Sequence, residues 1–355
     1  MAPSCPVRSR WPATASTVWF AVKRLAPLLS VALVLATLFA GCAPVRGWLL
    51  PRPGIPKDWR GVLAEVRAYE RTLGFRETQN FARMADTTGE YTLCGYAPHL
   101  QLPYSYEDPL IRWSEATSDA ACKADAKDSD YYFARIEAVG EVGVPVTTAL
   151  LEGKLDRFLY LVIHEDCHDQ FEFPYGFEEA LCNLIAYQGM TAFSTRQYGH
   201  WSRTNFAVRA YARTQTHLTR AVVSYYSYTE RLYARHARGE MALKAAMQQR
   251  VRLFASTERT LGWAKGTMNN VGLANEMTYS RHFPLVERVF DALDGDLVKL
   301  MDFFRQVDRE KPSRESVLAR LGLSDEKSVQ AISAIETSTV DTTIRVLRGY
   351  NSTSP

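Results

Sequence analysis

The chain has 355 residues, 46% of them hydrophobic and 12% aromatic, enough to bury one large core or two modest ones. Its 42 basic and 39 acidic residues leave a formal charge of only +3. That excludes a surface dominated by one sign and gives no basis for nucleic-acid binding. No internal period marks a repeat protein.

Residues 1–41 read as a leader. Arg8, Arg10, Lys23 and Arg24 form a basic start, and Leu25 to Ala40 is apolar and uncharged. Such a run is short for a membrane-spanning helix, which needs about 20 residues, and fits a signal-peptide core. It ends in Leu38-Phe39-Ala40-Gly41-Cys42, which resembles a bacterial lipoprotein processing site, with Phe39 where a smaller aliphatic residue is usual. Cys42 would then be the lipidated N-terminus of the mature chain. Ala43, in place of an aspartate, directs the expectation to the outer membrane, facing the periplasm. Residues 42–56 carry Pro51, Pro53 and Pro56 and are expected to form an extended tether. The cysteines that remain, Cys94, Cys122, Cys167 and Cys182, can make two disulfides in that oxidising space.

The domain expected over 57–311 begins with a helix capped by Asp58, with Val62, Leu63, Val66, Tyr69 and Leu73 on one stripe. Tyr91 to Pro109 reads as strands and loops, and Tyr131 to Val146 as one or two short strands broken at Gly140 and Gly143. Leu155 to Phe171 takes helical spacing. Pro174 and Gly176 break it, and a second helix follows that is expected to end near Gly189. Asn205 to about Thr260 predicts two long helices parted near Gly239, and Phe283 to Val307 two shorter ones split at Gly295. The polar stretch 312–355 is expected to be a partly ordered tail. The sum is α+β: a mainly helical domain with a small antiparallel sheet ahead of the helix that starts at Leu155.

His164-Glu165-Asp166-Cys167-His168 on that helix is the HExxH pattern. Residues four apart share a helix face, so both imidazoles can bind one zinc ion. Glu165 beside them can take a proton from a metal-bound water. Zinc needs a third protein donor, and Glu178 and Glu179 follow on the next helix. Phe177, Leu181 and Leu184 mark its core side, and Glu179 lies nearer that side.

Phe177-Glu178-Glu179-Ala180 through Gly189 resembles the second-helix segment of the bacterial putative aminopeptidase family, a set of zinc peptidases of zincin-like fold. That family's Phe-Asn-Glu pattern places its third zinc ligand on Glu179 here. Val144-Pro145-Val146-Thr147-Thr148, Asn269-Asn270 to Tyr279 and Phe283 to Val307 also resemble family segments in order and spacing. Three departures stand out: Glu178 replaces Asn, Asp169 replaces Gln, and Asp166-Cys167 is unusually polar inside HExxH. They leave metal binding intact and put substrate specificity in question.

A metal-bound histidine usually donates its other nitrogen to an acceptor; Asn183, one turn past Glu179, is the first candidate and Asp169 another. Tyr279 is the first choice for a donor to a developing oxyanion and His282 the second. His99, His200, His217 and His236 read as surface or packing residues. A free α-amino group could meet Glu137, Glu141 or Glu178. Cys167 and Cys182 each lie three residues past a proposed ligand, so a bond between them would staple the site, with Cys94–Cys122 as the complementary pair. The expected activity is zinc-dependent hydrolysis of a peptide substrate at the cell envelope, by an aminopeptidase. The competing readings are a quality-control endopeptidase of the envelope and a non-catalytic, metal-stabilised lipoprotein with a scaffold or chaperone role.

Overall fold

The computed structural model describes residues 52–85, 91–136 and 143–353. The leader, Cys42, Glu137 and Glu141 lie outside the described residues. Helix α1 (Trp59–Thr72) starts where Asp58 accepts a hydrogen bond from the Gly61 amide, and it buries Val62, Leu63, Val66 and Tyr69. Strand β1 (Met84–Ala85) pairs in parallel with β5 (Val146–Thr147). A separate antiparallel sheet has β2 (Tyr91–Pro98) at its centre, between β3 (Arg112–Glu115) and β4 (Ser129–Ile136). Helix α2 (Asp119–Asp125) joins β3 to β4 and is bonded to β2 by the Cys94–Cys122 disulfide, with Cα atoms 5.6 Å apart.

From there on the chain is helical. After the single turn α3 (Thr148–Leu151) come α4 (Leu155–His168), α5 (Tyr175–Tyr198), α6 (Arg203–Ala237), α7 (Leu243–Leu261) and α8 (Asn270–Thr278). Then follow α9 (Phe283–Ala292), α10 (Leu297–Glu310), α11 (Arg314–Leu321) and α12 (Val329–Thr353). The architecture is therefore α+β, mainly helical with a small antiparallel sheet. No helix among the described residues is long and apolar enough to cross a membrane.

The pair α4 and α5 forms the centre of the core. Phe158, Leu159, Val162 and Ile163 of α4 and Phe177, Leu181, Leu184 and Ile185 of α5 are fully buried. Near the start of α4 the buried Asp156 is held by the Arg52 guanidinium, a two-pronged pairing that makes burial of the carboxylate tolerable. Pro53 and Gly54 also hydrogen-bond to the start of α4, so the described end of the expected tether is docked rather than free. The Cys167–Cys182 disulfide bridges α4 to α5, again with Cα atoms 5.6 Å apart.

Two boundaries differ from the sequence reading. Helix α5 does not stop at Gly189 but runs on to Tyr198 and ends at Gly199, whose φ of 83° an L side chain rarely adopts. Gly189 instead lies inside the helix facing Ile163, where a Cβ would make an ordinary contact at 3.5 Å, so nothing there stops the helix. The stretch 312–355, read as a partly ordered tail, holds α11 and the 25-residue α12. Its polar composition was misleading because Thr339, Thr342 and Thr343 are buried with their hydroxyls bonded to the carbonyls one turn back.

Candidate active site

The short link between α4 and α5 returns the chain so that three side chains meet. His164 Nε2 lies 3.1 Å from Glu179 Oε2 and 3.3 Å from His168 Nε2, and His168 Nε2 lies 3.6 Å from the same Glu179 oxygen. A zinc tetrahedron with bonds of about 2.0–2.1 Å has edges of about 3.3 Å. The triangle therefore has the size of one face of such a tetrahedron. His164 and Glu179 are buried and His168 is half-buried. These three residues form the one group among the described residues that could hold a metal ion.

Electrostatics inside this cluster are mutually compensating. Burial alone would raise the Glu179 carboxyl, but hydrogen bonds and charge from His164 and His168 outweigh it and hold it down to about 2. Burial would lower His168, and Glu178 with Glu179 drive it well above its usual range. Glu165, adjacent in sequence and buried, is pushed upward by loss of solvent.

Glu178 has a place the sequence did not suggest. Its Oε1 sits 2.8 Å from His168 Nδ1, and its Oε2 accepts a hydrogen bond from the Phe173 amide at 2.9 Å. The nitrogen of His168 that points away from the cluster therefore has a carboxylate partner, which orients the ring. Asn183 and Asp169, the expected acceptors, do not do this. Asn183 Oδ1 accepts from the Tyr160 hydroxyl at 2.6 Å, and its Nδ2 donates to the Tyr279 carbonyl at 3.1 Å. Asp169 instead accepts a hydrogen bond from Asn80. The Nδ1 of His164 is buried with no partner among the described residues; its ring is positioned by stacking on Tyr160, with centroids 5.1 Å apart. The polar Asp166 inside the motif faces away from the cluster, bonded to Thr78 beside Arg67.

Tyr279 reaches the site because α8 is anchored at both ends. At its start, Asn269 accepts from the Gly272 amide, and the Asn270 side chain donates to the carbonyls of Pro98, His99 and Gln101. Asp130, paired with Arg250, accepts from the Asn270 amide. Gly95 lets the helix settle on the sheet, since a Cβ there would lie 2.8 Å from both Trp113 and Val271. At its end, Asn183 holds the Tyr279 carbonyl. The Tyr279 phenol feels the negative charge of Glu179 most strongly, and that and burial push its pKa up, so it remains a protonated donor. Tyr175, 36% exposed at the rim, has its phenol pushed up by burial and by the nearby charges of Glu179 and Tyr279. No spacing in the sequence distinguishes Tyr175 from the other tyrosines.

His282, the second choice for an oxyanion donor, bonds Glu336 of α12 at 2.8 Å and packs against Phe177, so it supports α5 from behind. The Glu336 carboxylate lies where a Gly176 Cβ would be, 2.6 Å away, and it also accepts from Tyr104. His99 is paired with Asp130 at 2.7 Å, and His236 with the Met241 carbonyl. A groove of about 520 Å³ is lined by Glu178, which bonds His168, and by Tyr175, Glu107, Lys311 and Arg314, but by none of the three clustered residues. A hollow of about 550 Å³ elsewhere is lined by Arg209, His217 and Glu287, and likewise by none of the three.

Fold and site together define a helical α+β protein with a His-His-Glu cluster on two adjoining helices. The model of the putative aminopeptidase family matches residues 113–318, from β3 into α11, and the chain belongs to that family. No curated protein and no solved structure matched the chain.

Proposed function

We propose that the protein is a zinc-dependent peptidase of the cell envelope, an aminopeptidase, in which His164, His168 and Glu179 hold the ion and Glu165 is the general base. The carrying observation is the convergence of two imidazole nitrogens and one carboxylate oxygen at tetrahedral-edge distances. Three protein donors are the set of a catalytic rather than a closed structural zinc site. When bound, zinc supplies Lewis acidity, which polarises a carbonyl and makes water more acidic.

The protein's own groups account for the remaining steps. Glu165 takes a proton from the attacking water and delivers it to the departing amine as the C–N bond breaks. Its burial, which raises its proton affinity, suits both halves of that cycle. The Tyr279 hydroxyl donates to the oxyanion. Glu178 fixes the His168 ring, and the disulfide between Cys167 and Cys182 holds the two ligand helices in register. The two disulfides suit an oxidising compartment, which supports the envelope location expected from the leader and Cys42. The family description supports peptide hydrolysis.

Metal analysis beside a peptide-cleavage assay tests this. Wild type and Glu165→Gln should both hold about one equivalent of zinc, with turnover in the variant down about 10²-fold or more. Glu179→Ala should lose zinc and, with it, activity. Full zinc in Glu179→Ala, or undiminished turnover in Glu165→Gln, would overturn the reading.

A further inference from the structure

No acidic residue lies between Glu179 and Glu230, while Arg196, Arg203, Arg209, Arg213 and Arg220 all fall inside that stretch. In a chain of nearly balanced charge, this concentrates positive charge on the end of α5 and the first half of α6. Arg203, Phe206, Arg209, Arg213, His217 and Arg220 recur every three or four residues and so share one side of α6. The buried Asn205, Ala207, Val208 and Ala212 occupy the other side. At the head of the stripe stands Trp201, 80% exposed, with Phe206, 40% exposed, beside it.

Hydrogen bonds fix this corner. The Asn205 amide donates to the Ser202 hydroxyl, which caps α6. The buried Asn205 side chain donates to the His200 carbonyl and accepts from the Ser194 and Thr195 hydroxyls. The last turn of α5, the connecting turn and the first turn of α6 are thereby tied together, and the indole is held in water by structure. Leaving so large an apolar surface wet forgoes the stabilisation its burial would bring. Arg196, Arg203, Arg209 and Arg213 form no ion pair among the described residues, whereas Arg220 pairs with Glu287. Asp291 lines the hollow with Arg209 and Arg213, so the least compensated charges are Arg196 and Arg203, which flank Trp201 in sequence.

An indole between guanidinium groups has the chemistry of a membrane–water interface. Tryptophan settles at headgroup level, with its ring toward the acyl chains and its N–H toward water, and arginine forks pair with phosphate. The described chain also enters at this end. Arg52 bonds Asp156 near the start of α4 and lies 5.2 Å over the Tyr211 ring of α6. The start of α4 and the end of α5 both lie away from the link between these helices, where the cluster sits. Ten residues lead from Cys42 to Arg52, a reach of at most about 35 Å. An anchor at Cys42 therefore brings lipid within range of Trp201, while Glu179 stands about 30 Å away along α5.

We propose that the corner formed by Trp201 and Phe206, with Arg196 and Arg203 beside it, docks on an anionic phospholipid surface, the membrane to which the chain is tethered. This goes beyond the peptidase reading and does not depend on it. Docking at this corner orients the domain, which a tether alone leaves free to tumble, and keeps the His-His-Glu cluster clear of the lipid.

Hydroxyl-radical footprinting of the full-length chain, read residue by residue by mass spectrometry, tests this without any substitution. The chain is reconstituted into vesicles of phosphatidylethanolamine with phosphatidylglycerol, and separately into neutral phosphatidylcholine vesicles. Oxidation of Trp201 and Phe206 should fall several-fold on the anionic vesicles relative to the neutral ones. Tyr175, exposed at the other end of α5, should be oxidised equally on both. Replacing Arg196 and Arg203 by glutamine should weaken docking about fivefold per charge removed, and Trp201→Ala should release the protection of Phe206. Equal oxidation of Trp201 on the two kinds of vesicle overturns the proposal, and a chain that still co-sediments with both would then keep its anchor and lose only the docking surface. Protection in lipid-free detergent that deepens with protein concentration assigns the corner to a second copy of the chain and overturns the proposal as well.

Discussion

The two walls of the site are built on opposite principles. The α4–α5 platform is closed on itself: His164, His168, Glu178 and Glu179 compensate one another's charge, the core around them is fully buried, and a disulfide joins the helices. The facing wall, made by α8 with Tyr279 and Glu276, leaves the Glu276 carboxylate without an ion pair or hydrogen bond among the described residues. The contrast teaches that this fold satisfies its candidate ligand set internally and leaves on α8 a half-buried carboxylate with no internal partner among the described residues. Binding and catalytic residues commonly carry such unmet demands, whereas scaffold residues do not.

The staple within the platform gives the largest expected effect on stability. The Cys167–Cys182 bridge closes 15 residues, and replacing both cysteines by serine should cost about 3 kcal/mol in unfolding free energy. Removing Cys94–Cys122, which closes 28 residues in the sheet region, should cost a similar amount or slightly more. The two double variants should separate on a second measurement. Zinc affinity should fall in the first, because its bridge holds the ligand helices, and stay unchanged in the second. Equal zinc affinity in both would mean that core packing alone sets the platform.

A smaller effect is expected from within the platform at Glu178. Glu178→Gln keeps the shape but removes the carboxylate that orients His168 through Nδ1. Competition titration with a chelator should show zinc affinity lowered about 10- to 100-fold, with one equivalent still bound at saturation. An unchanged affinity would show that His168 is positioned by packing alone, and the contrast between the walls would weaken.

How much of this could be read in the sequence follows the same division. His164, Glu165, His168 and Glu179 lie within one helix–turn–helix, where a spacing of four and a proline break translate directly into geometry. Asn183 was placed in the right neighbourhood with the wrong contact, because periodicity gives the face of a residue but not which atom its amide meets. Glu178 was expected only as a candidate contact for a substrate amine, since helical phase alone could not show that His168 turns its second nitrogen toward it. Glu276 and Tyr175 carried no signal at all. Glu276 depends on β4, α5 and α8 meeting, which is long-range packing. Gly189 misled because a glycine in the middle of a long helix looks, in sequence, like one that ends it.

The smallest expected effect probes the uncompensated wall alone, through pH. The Glu276 carboxyl has an ordinary value of 4.5 and is pushed up to about 7 in the folded chain. Below both values it is protonated whether the chain is folded or not, and it contributes no pH dependence. Between them the folded chain keeps a proton that the unfolded chain has released, so stability falls as pH rises. Above about 7 the whole penalty is present. Allowing for water at its partly accessible surface, that penalty is about 1–2 kcal/mol. Glutamine cannot ionise, so Glu276→Gln should abolish this component. Urea unfolding of the metal-free proteins should give nearly equal stabilities at pH 5, with the variant ahead by about 1–2 kcal/mol at pH 8. A variant less stable than wild type at pH 8 would mean that the ionised carboxylate has a favourable partner within the folded chain, and that this wall is as self-satisfied as the platform it faces.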